Sequence, residues 1–217
     1  MFVKLKSNFS DLLYTKVPGL ESFAGLDGKG VYHNKIWTPD EEKIYSVIPK
    51  RYWDDFQVTR MTINSLLLPH VDNDFITTIN FYYQPGDYRT MFYGVKQGRT
   101  SWKTEEDTHL LVNPEPLSEE GIDPEELKER MREFVNEKKN MEHAKDVVYV
   151  DAVYAFDDVY ETGSFIAKAN EAYMLDVRIP HTVEPTNGVQ IRKAFALRTR
   201  KYDFATVYEM LQETGNL

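Results

Sequence analysis

Ile76-Thr77-Thr78-Ile79-Asn80-Phe81-Tyr82-Tyr83, followed by Gln84 and then Pro85-Gly86-Asp87, is the stretch whose reading decides the fold. β-Branched and aromatic residues dominate it, and these fit a pleated, half-buried surface better than a helix. Pro and Gly then end the run, and Tyr88 to Val95 reads as its return strand. Working outward, similar runs recur at Val58 to Leu68, Val147 to Phe156, Ser164 to Lys168, Ala172 to Val177 and Ile191 to Arg200. Short strands separated by turns, without intervening helices, predict a mainly β protein of sandwich or jelly-roll type rather than a parallel sheet.

Helices flank this framework. In Thr38-Pro39-Asp40-Glu41-Glu42 the threonine can cap and the acids favour the positive end of a helix, which predicts a helix reaching about Ile48 before Pro49 stops it. Asp203 to Gln212 predicts a closing helix with Phe204, Val207, Tyr208 and Leu211 on one side. Met1 to Leu20 reads as a strand and then a turn at Pro18-Gly19, with a glycine-rich loop from Gly25 to Gly30. The stretch from about 98 to 146 differs: it is polar and acidic, with Pro114, Pro116 and Pro124. Asp123-Pro124-Glu125-Glu126 combines a cap, a proline at the first helical position and a glutamate three residues after the cap. With Leu127, Met131 and Phe134 on one face, it predicts an amphipathic helix over roughly 124–143, either a solvated excursion or a lid. Residues 1–217 thus read as a single domain carrying a helical insertion at about 98–146.

With 41% hydrophobic and 13% aromatic residues in 217, the chain can bury a sizeable core. It contains no cysteine, which removes disulfides, zinc–thiolate sites and iron–sulfur clusters and leaves only nitrogen and oxygen ligands for a metal. A net charge of -9 disfavours broad electrostatic binding to duplex DNA. The first thirty residues hold no long apolar run and carry Asp11, so neither a signal peptide nor a membrane helix is expected, and the default is a soluble cytoplasmic protein. The expected partner is therefore a small-molecule, peptide or protein substrate.

The chemistry centres on His70-Val71-Asp72. A short strand puts residues i and i+2 on one face, so His70 and Asp72 can point at the same atom. His-x-Asp is a weak signal alone. It gains weight here from its place after the apolar run Ser65-Leu66-Leu67-Leu68-Pro69, from His181, which follows a strand and Pro180, and from Arg192, 11 residues after His181. Two imidazoles and a carboxylate leaving several coordination positions open suit non-haem Fe(II) oxygen chemistry. An arginine reaching the same cavity could bind a carboxylate through two parallel hydrogen bonds.

This pattern resembles the Fe(II)/2-oxoglutarate-dependent dioxygenases, with the nearest local likeness to the prolyl hydroxylase branch. Pro69-His70-Val71-Asp72-Asn73-Asp74 with Thr77 to Gln84, and Ile179-Pro180-His181-Thr182-Val183-Glu184-Pro185 through Arg192, carry the likeness. It covers roughly 58–96 and 147–202 and leaves the N-terminal fifty residues and the 98–146 stretch outside. The resemblance implies a double-stranded β-helix, a cupin-like jelly roll, with Fe(II) held by His70, Asp72 and His181. It implies 2-oxoglutarate as cosubstrate, chelating through its C1 carboxylate and keto oxygen, with Arg192 and Tyr82 on its distal carboxylate. It implies O2 as oxidant, release of succinate and CO2, and hydroxylation of a carbon centre such as a prolyl or other amino-acid side chain.

Two features depart from that pattern. The gap from His181 to Arg192 is slightly long, by a loop containing Thr186-Asn187-Gly188. Arg198 lies six residues beyond Arg192 on the same strand face, and alkylation-repair oxygenases of this superfamily use two arginines at that spacing. Arg192 is the first choice of anchor. Arg198 is a second cosubstrate contact, a strand end in solvent, or half of a structural ion pair. Asn80 shares a face with Tyr82; His33, His109 and His143 read as surface or structural, and Asp157-Asp158 with Glu161 as a polar turn. The competing functions are a metal-binding cupin-like protein without turnover, in which Arg192 would have no purpose, and a nucleic-acid demethylase, which the acidic balance opposes.

Overall fold

Strand pairing begins with the β-branched and aromatic runs. The computed structural model describes residues 1–10, 31–35, 41–63, 68–72, 75–101, 109–111, 147–187 and 192–217. Among these residues twelve strands are formed: β1 (Phe2–Lys4), β2 (Val31–Lys35), β3 (Phe56–Ile63), β4 (His70–Asp72), β5 (Thr77–Gln84), β6 (Tyr88–Val95), β7 (His109–Leu111), β8 (Val147–Val153), β9 (Val159–Ile166), β10 (Glu171–Asp176), β11 (His181–Pro185) and β12 (Arg192–Thr199). They make two six-stranded sheets of order β1-β10-β5-β12-β3-β2 and β7-β8-β4-β11-β6-β9. Among the described residues every strand pairing is antiparallel. The mainly β expectation therefore holds.

One expectation is corrected. Tyr88 to Val95 is a strand, but not the hydrogen-bonded return of the strand before it: β5 lies in the first sheet and β6 in the second. Pro85 has no N–H to offer a ladder, and Gly86 adopts φ 58°, a left-handed turn that favours glycine. The Pro-Gly-Asp segment is thus a corner between sheets. The same alternation runs from β3 to β6 and again from β9 to β12, each strand changing sheet relative to the one before.

The sheets meet over an apolar layer that includes Met61, Tyr82, Phe92, Tyr173, Leu175, Val183 and Ala194. Each such aromatic or aliphatic side chain gains about 1.5–3 kcal/mol from burial. Strand alternation sends Phe81, Phe195 and Leu197 to the opposite face of the first sheet, into a second core with Ile44, Ile48, Val207, Met210 and Leu211. Helices cover that face: α1 (Glu41–Tyr45), a 3-10 turn at Lys50–Asp55 that begins after Pro49, and α2 (Phe204–Glu213).

α2 is specified at both ends. Asp203 caps it by accepting from the Thr206 N–H at 2.8 Å. At its end Gly215, at φ 77°, lets the N–H groups of Gly215 and Asn216 reach the carbonyls of Gln212 and Leu211. Its buried residues are Val207, Met210 and Leu211, whereas Tyr208 is exposed. Met210 takes the place expected of Tyr208, because 207, 210 and 211 form the tighter stripe on a 3.6-residue period.

Glu161 was expected in a turn but lies within β9, which begins at Val159; Asp157 and Asp158 do form a 3-10 turn. Within the stretch 98–146, His109–Leu111 pairs with β8 and adds an edge strand. The expected helix at 124–143 and His143 lie outside the described residues, as do the turn residues from Gly188 and the segment before α1. Among the described residues no helix is long and apolar enough to cross a membrane.

Candidate metal centre

His70 opens β4, Asp72 closes it, and His181 opens β11. The two histidines are cross-strand partners in the ladder, and their rings lie 4.5 Å apart. Both are buried and Asp72 is partly buried. Asp72 Oδ1 sits 3.4 Å from His70 Nε2 and 3.5 Å from His181 Nε2. The three side chains can hold a metal ion, each offering one ligand atom, all within 4.8 Å of one another.

The imidazoles are oriented by the same local device. His70 Nδ1 donates to the Leu68 carbonyl at 2.7 Å and His181 Nδ1 to the Ile179 carbonyl at 3.0 Å. A carbonyl only accepts, so each Nδ1 carries the proton and each Nε2 keeps its lone pair for a metal. In both places a proline separates the accepting residue from the histidine, and a proline holds the residue before it extended. The carbonyls of Pro69 and Pro180 are used in turn by the N–H groups of Tyr154 and Tyr93.

Asp72 is fixed on its other side. Arg198 Nη2 lies 3.4 Å from Asp72 Oδ2, so one carboxylate oxygen faces the histidines and the other faces a guanidinium. Arg198 also lies over Phe75 at 3.6 Å from the ring centre. Of its expected roles, the ion pair is realised, and a strand end in solvent is excluded by its burial. The pairing register between β4 and β8 shifts between Val71 and Asp72, and such irregularities re-aim side chains. Burial acts to raise the Asp72 pKa, but the adjacent His70 ring and the nearby His181 and Arg198 outweigh it and hold the carboxyl well below the usual range. Burial, reinforced by His70, lowers His181 to about 4. Both shifts leave the groups in their metal-binding forms at neutral pH.

Arg192, Ala194, Ala196 and Arg198 share one face of β12. Because Ala194 belongs to the layer between the sheets and Arg198 reaches Asp72, that face looks toward the metal ligands. Arg192 is 1% exposed. Its guanidinium lies 4.4 Å from the centre of the Tyr82 ring, yet among the described residues none of its three nitrogens has a hydrogen-bond partner. Tyr82 also links back along β5: Asn80 donates to the Tyr82 hydroxyl at 3.4 Å and Thr78 to Asn80 at 3.1 Å. The expected site residues His70, Asp72, His181, Arg198, Arg192 and Tyr82 therefore all reach the space between the sheets.

Two residues were missed. Thr90 Oγ1 is buried and, among the described residues, lacks a hydrogen-bond partner. Tyr88, two positions earlier on the same strand face, is raised in pKa by burial, with Arg192 close enough to oppose the shift. The alternation of Tyr88, Thr90 and Phe92 was the available signal. It marks a strand face but does not show which arginine the face meets.

No protein-family model matches this chain, and no curated protein matches it. Among solved structures it is similar to the "X-Ray structure of E. coli ycfD", at 10% sequence identity and a TM-score of 0.29, covering 70% of this chain and 28% of that one. The similarity thus spans well under half the length of that protein.

Proposed function

We propose that the protein is an Fe(II)- and 2-oxoglutarate-dependent oxygenase that hydroxylates a carbon centre, built on a double-stranded β-helix. The strand alternation between sheets in two four-strand sets supports the fold reading. The observation that carries the function is Arg192. A buried guanidinium costs several kcal/mol unless an anion meets it, and no described residue does so. A metal-binding protein without a cosubstrate would have no use for it.

The residues fit both groups. His70, Asp72 and His181 would hold the ion, and two histidines with one carboxylate are the donor set expected for Fe(II) with open positions. Arg192 would pair with the far carboxylate of 2-oxoglutarate, with the Thr90 hydroxyl as an added donor and the Tyr82 ring supporting the guanidinium. Arg198 would hold Asp72 Oδ2 and keep that ligand to one oxygen. Phe92, stacked on His181 at 5.9 Å, and Tyr173 help exclude water.

The net exchange is R–H + O2 + 2-oxoglutarate giving R–OH + succinate + CO2. One oxygen atom of O2 goes to R–OH and the other to the new carboxylate of succinate, while CO2 keeps the oxygens of the cosubstrate's C1 carboxylate; the four electrons come two from the C–H bond and two from the decarboxylation. The bound metal and cosubstrate supply the oxidising power; the chain supplies binding, orientation and dryness.

Anaerobic addition of Fe(II) and 2-oxoglutarate should produce a weak visible charge-transfer band. Arg192→Met should remove the band at moderate 2-oxoglutarate while Fe(II) still binds. Folded wild-type protein that binds Fe(II) and shows no band at saturating 2-oxoglutarate would refute the reading.

A further inference from the structure

Buried polar side chains form a file along the inner face of β5. Thr78, Asn80 and Tyr82 alternate with Ile79 and Phe81, so the first three share the face between the sheets while the other two enter the core beneath the helices. None of the three is more than 5% exposed. Their neighbours on β12 are Arg198, Ala196 and Ala194 in that order, and Arg192 follows beyond a register shift. The file thus runs from the arginine that touches Asp72 to the arginine that lies over Tyr82. An asparagine in the middle of a buried strand is costly unless its hydrogen bonds are used.

The file has a direction. Thr78 Oγ1 donates to Asn80 Oδ1 at 3.1 Å, and Asn80 Nδ2 donates to the Tyr82 hydroxyl at 3.4 Å. The register partner of Thr78 on β12 favours that direction. It is Arg198, and a hydroxyl beside a guanidinium, which only donates, turns a lone pair to the cation and its proton away. At the other end the phenol carries one proton, held in the plane of its ring. With the Asn80 N–H on the lone-pair side, that proton points away from Asn80, and no described residue accepts it. The Arg192 guanidinium lies over the same ring, and its nitrogens likewise have no partner among the described residues. A phenol held as a donor next to a cation without a counter-ion presents two kinds of donor to one anion.

Resting on the oxygenase reading, we infer that Asn80, oriented by Thr78, is a positioning residue for the cosubstrate: it fixes the Tyr82 phenol as a donor to the carboxylate that Arg192 binds. Neither Asn80 nor Thr78 touches the anion. Asn80 acts through Tyr82 on the far end of the cosubstrate, and the metal ligands on the other sheet are left as they are.

A double-mutant cycle tests this. Anaerobic titration of the full chain with Fe(II) bound, followed by the visible band, gives the 2-oxoglutarate Kd of wild type, Asn80→Leu, Tyr82→Phe and the variant carrying both. Tyr82→Phe should weaken 2-oxoglutarate roughly tenfold, as expected for a lost hydrogen bond to a charged group. Asn80→Leu alone should weaken it by roughly three- to tenfold, and should add nothing further once residue 82 is phenylalanine. Fe(II) affinity, from competition with a chelator, should be unchanged in every variant, and circular dichroism checks folding. Thr78→Val, which keeps the side-chain shape, runs the same cycle with a smaller effect and replaces Asn80→Leu if that variant does not fold. Wild-type 2-oxoglutarate affinity in Asn80→Leu, an equal loss with and without the Tyr82 hydroxyl, or a matching loss of Fe(II) affinity overturns the inference. Tighter binding by Tyr82→Phe overturns it too, since the phenol would then be turning a lone pair to the anion. Folded wild type that binds Fe(II) and no 2-oxoglutarate sinks both the oxygenase reading and the role of Asn80, whereas wild-type binding with uncoupled variants sinks the role of Asn80 alone.

Discussion

At the residue scale, the site rests on pairs of atoms whose roles are divided. Each histidine spends Nδ1 on a carbonyl two residues upstream and keeps Nε2; Asp72 spends Oδ2 on Arg198 and keeps Oδ1. Partners behind metal ligands commonly contribute 10–100-fold in affinity. Arg198→Met should therefore weaken metal binding by roughly that factor, whereas Arg192→Met should leave it within about twofold; competition with a chelator measures both. Equal effects would mean that Arg198 does not act through Asp72. The metal-free protein should also respond to acid. His181 titrates at about 4 in the folded chain and near 6.5 unfolded. Between those values the unfolded chain holds the proton and the folded chain does not, so stability falls as pH drops from about 6.5 to about 4, by up to roughly 1.4 kcal/mol per unit. Asp72 contributes in the same direction below the usual carboxylate pKa, since its folded value is depressed. Urea unfolding at pH 7, 6 and 5 should show the slope, and His181→Gln should flatten it.

At the element scale, adjacent residues encode local structure more fully than they encode relations between elements. His70, Asp72 and His181 were legible because period-2 alternation and two Pro-His steps are written in adjacent residues. The Arg198–Asp72 pair joins positions 126 apart across two sheets, and no local pattern encodes which of two arginines on one strand face meets the carboxylate. The Pro85-Gly86-Asp87 turn shows the same limit. Its residues require a chain reversal, but a hairpin and a corner between sheets use the same turn chemistry, and only packing of both strand faces selects the corner. The closing helix was located from its cap and its apolar stripe, with Met210 rather than Tyr208 completing the buried face. Its cap makes a local prediction. Asp203→Ala removes the acceptor for the Thr206 N–H and should cost about 1 kcal/mol, lowering Tm by about 2–4 °C for a chain of this size. Asp203→Asn, which keeps an acceptor, should recover most of the loss in the same melting experiment.

At the scale of the whole molecule, the candidate ligands and the candidate anchor come from different layers. His70, Asp72 and His181 lie on β4 and β11 of one sheet; Arg192 and Tyr82 lie on β12 and β5 of the other. A dianion that binds the metal at one end and Arg192 at the other would connect the two sheets, and its affinity would depend on both contacts being available together. Binding free energies are then coupled, and the coupling is reciprocal: metal tightens 2-oxoglutarate by the same factor by which 2-oxoglutarate tightens metal. Thermal unfolding reads this directly, since a ligand at a thousand times its Kd stabilises by about 4 kcal/mol. Under anaerobic conditions 2-oxoglutarate alone should raise Tm little, the metal alone should raise it, and the two together should exceed the sum. Arg192→Met should keep the metal's increment and lose the excess, because the contact in the second sheet is gone while the ligands in the first are untouched. An increment from 2-oxoglutarate that is the same with and without metal would mean that the anion binds Arg192 without reaching the histidines, and that the two layers hold separate sites.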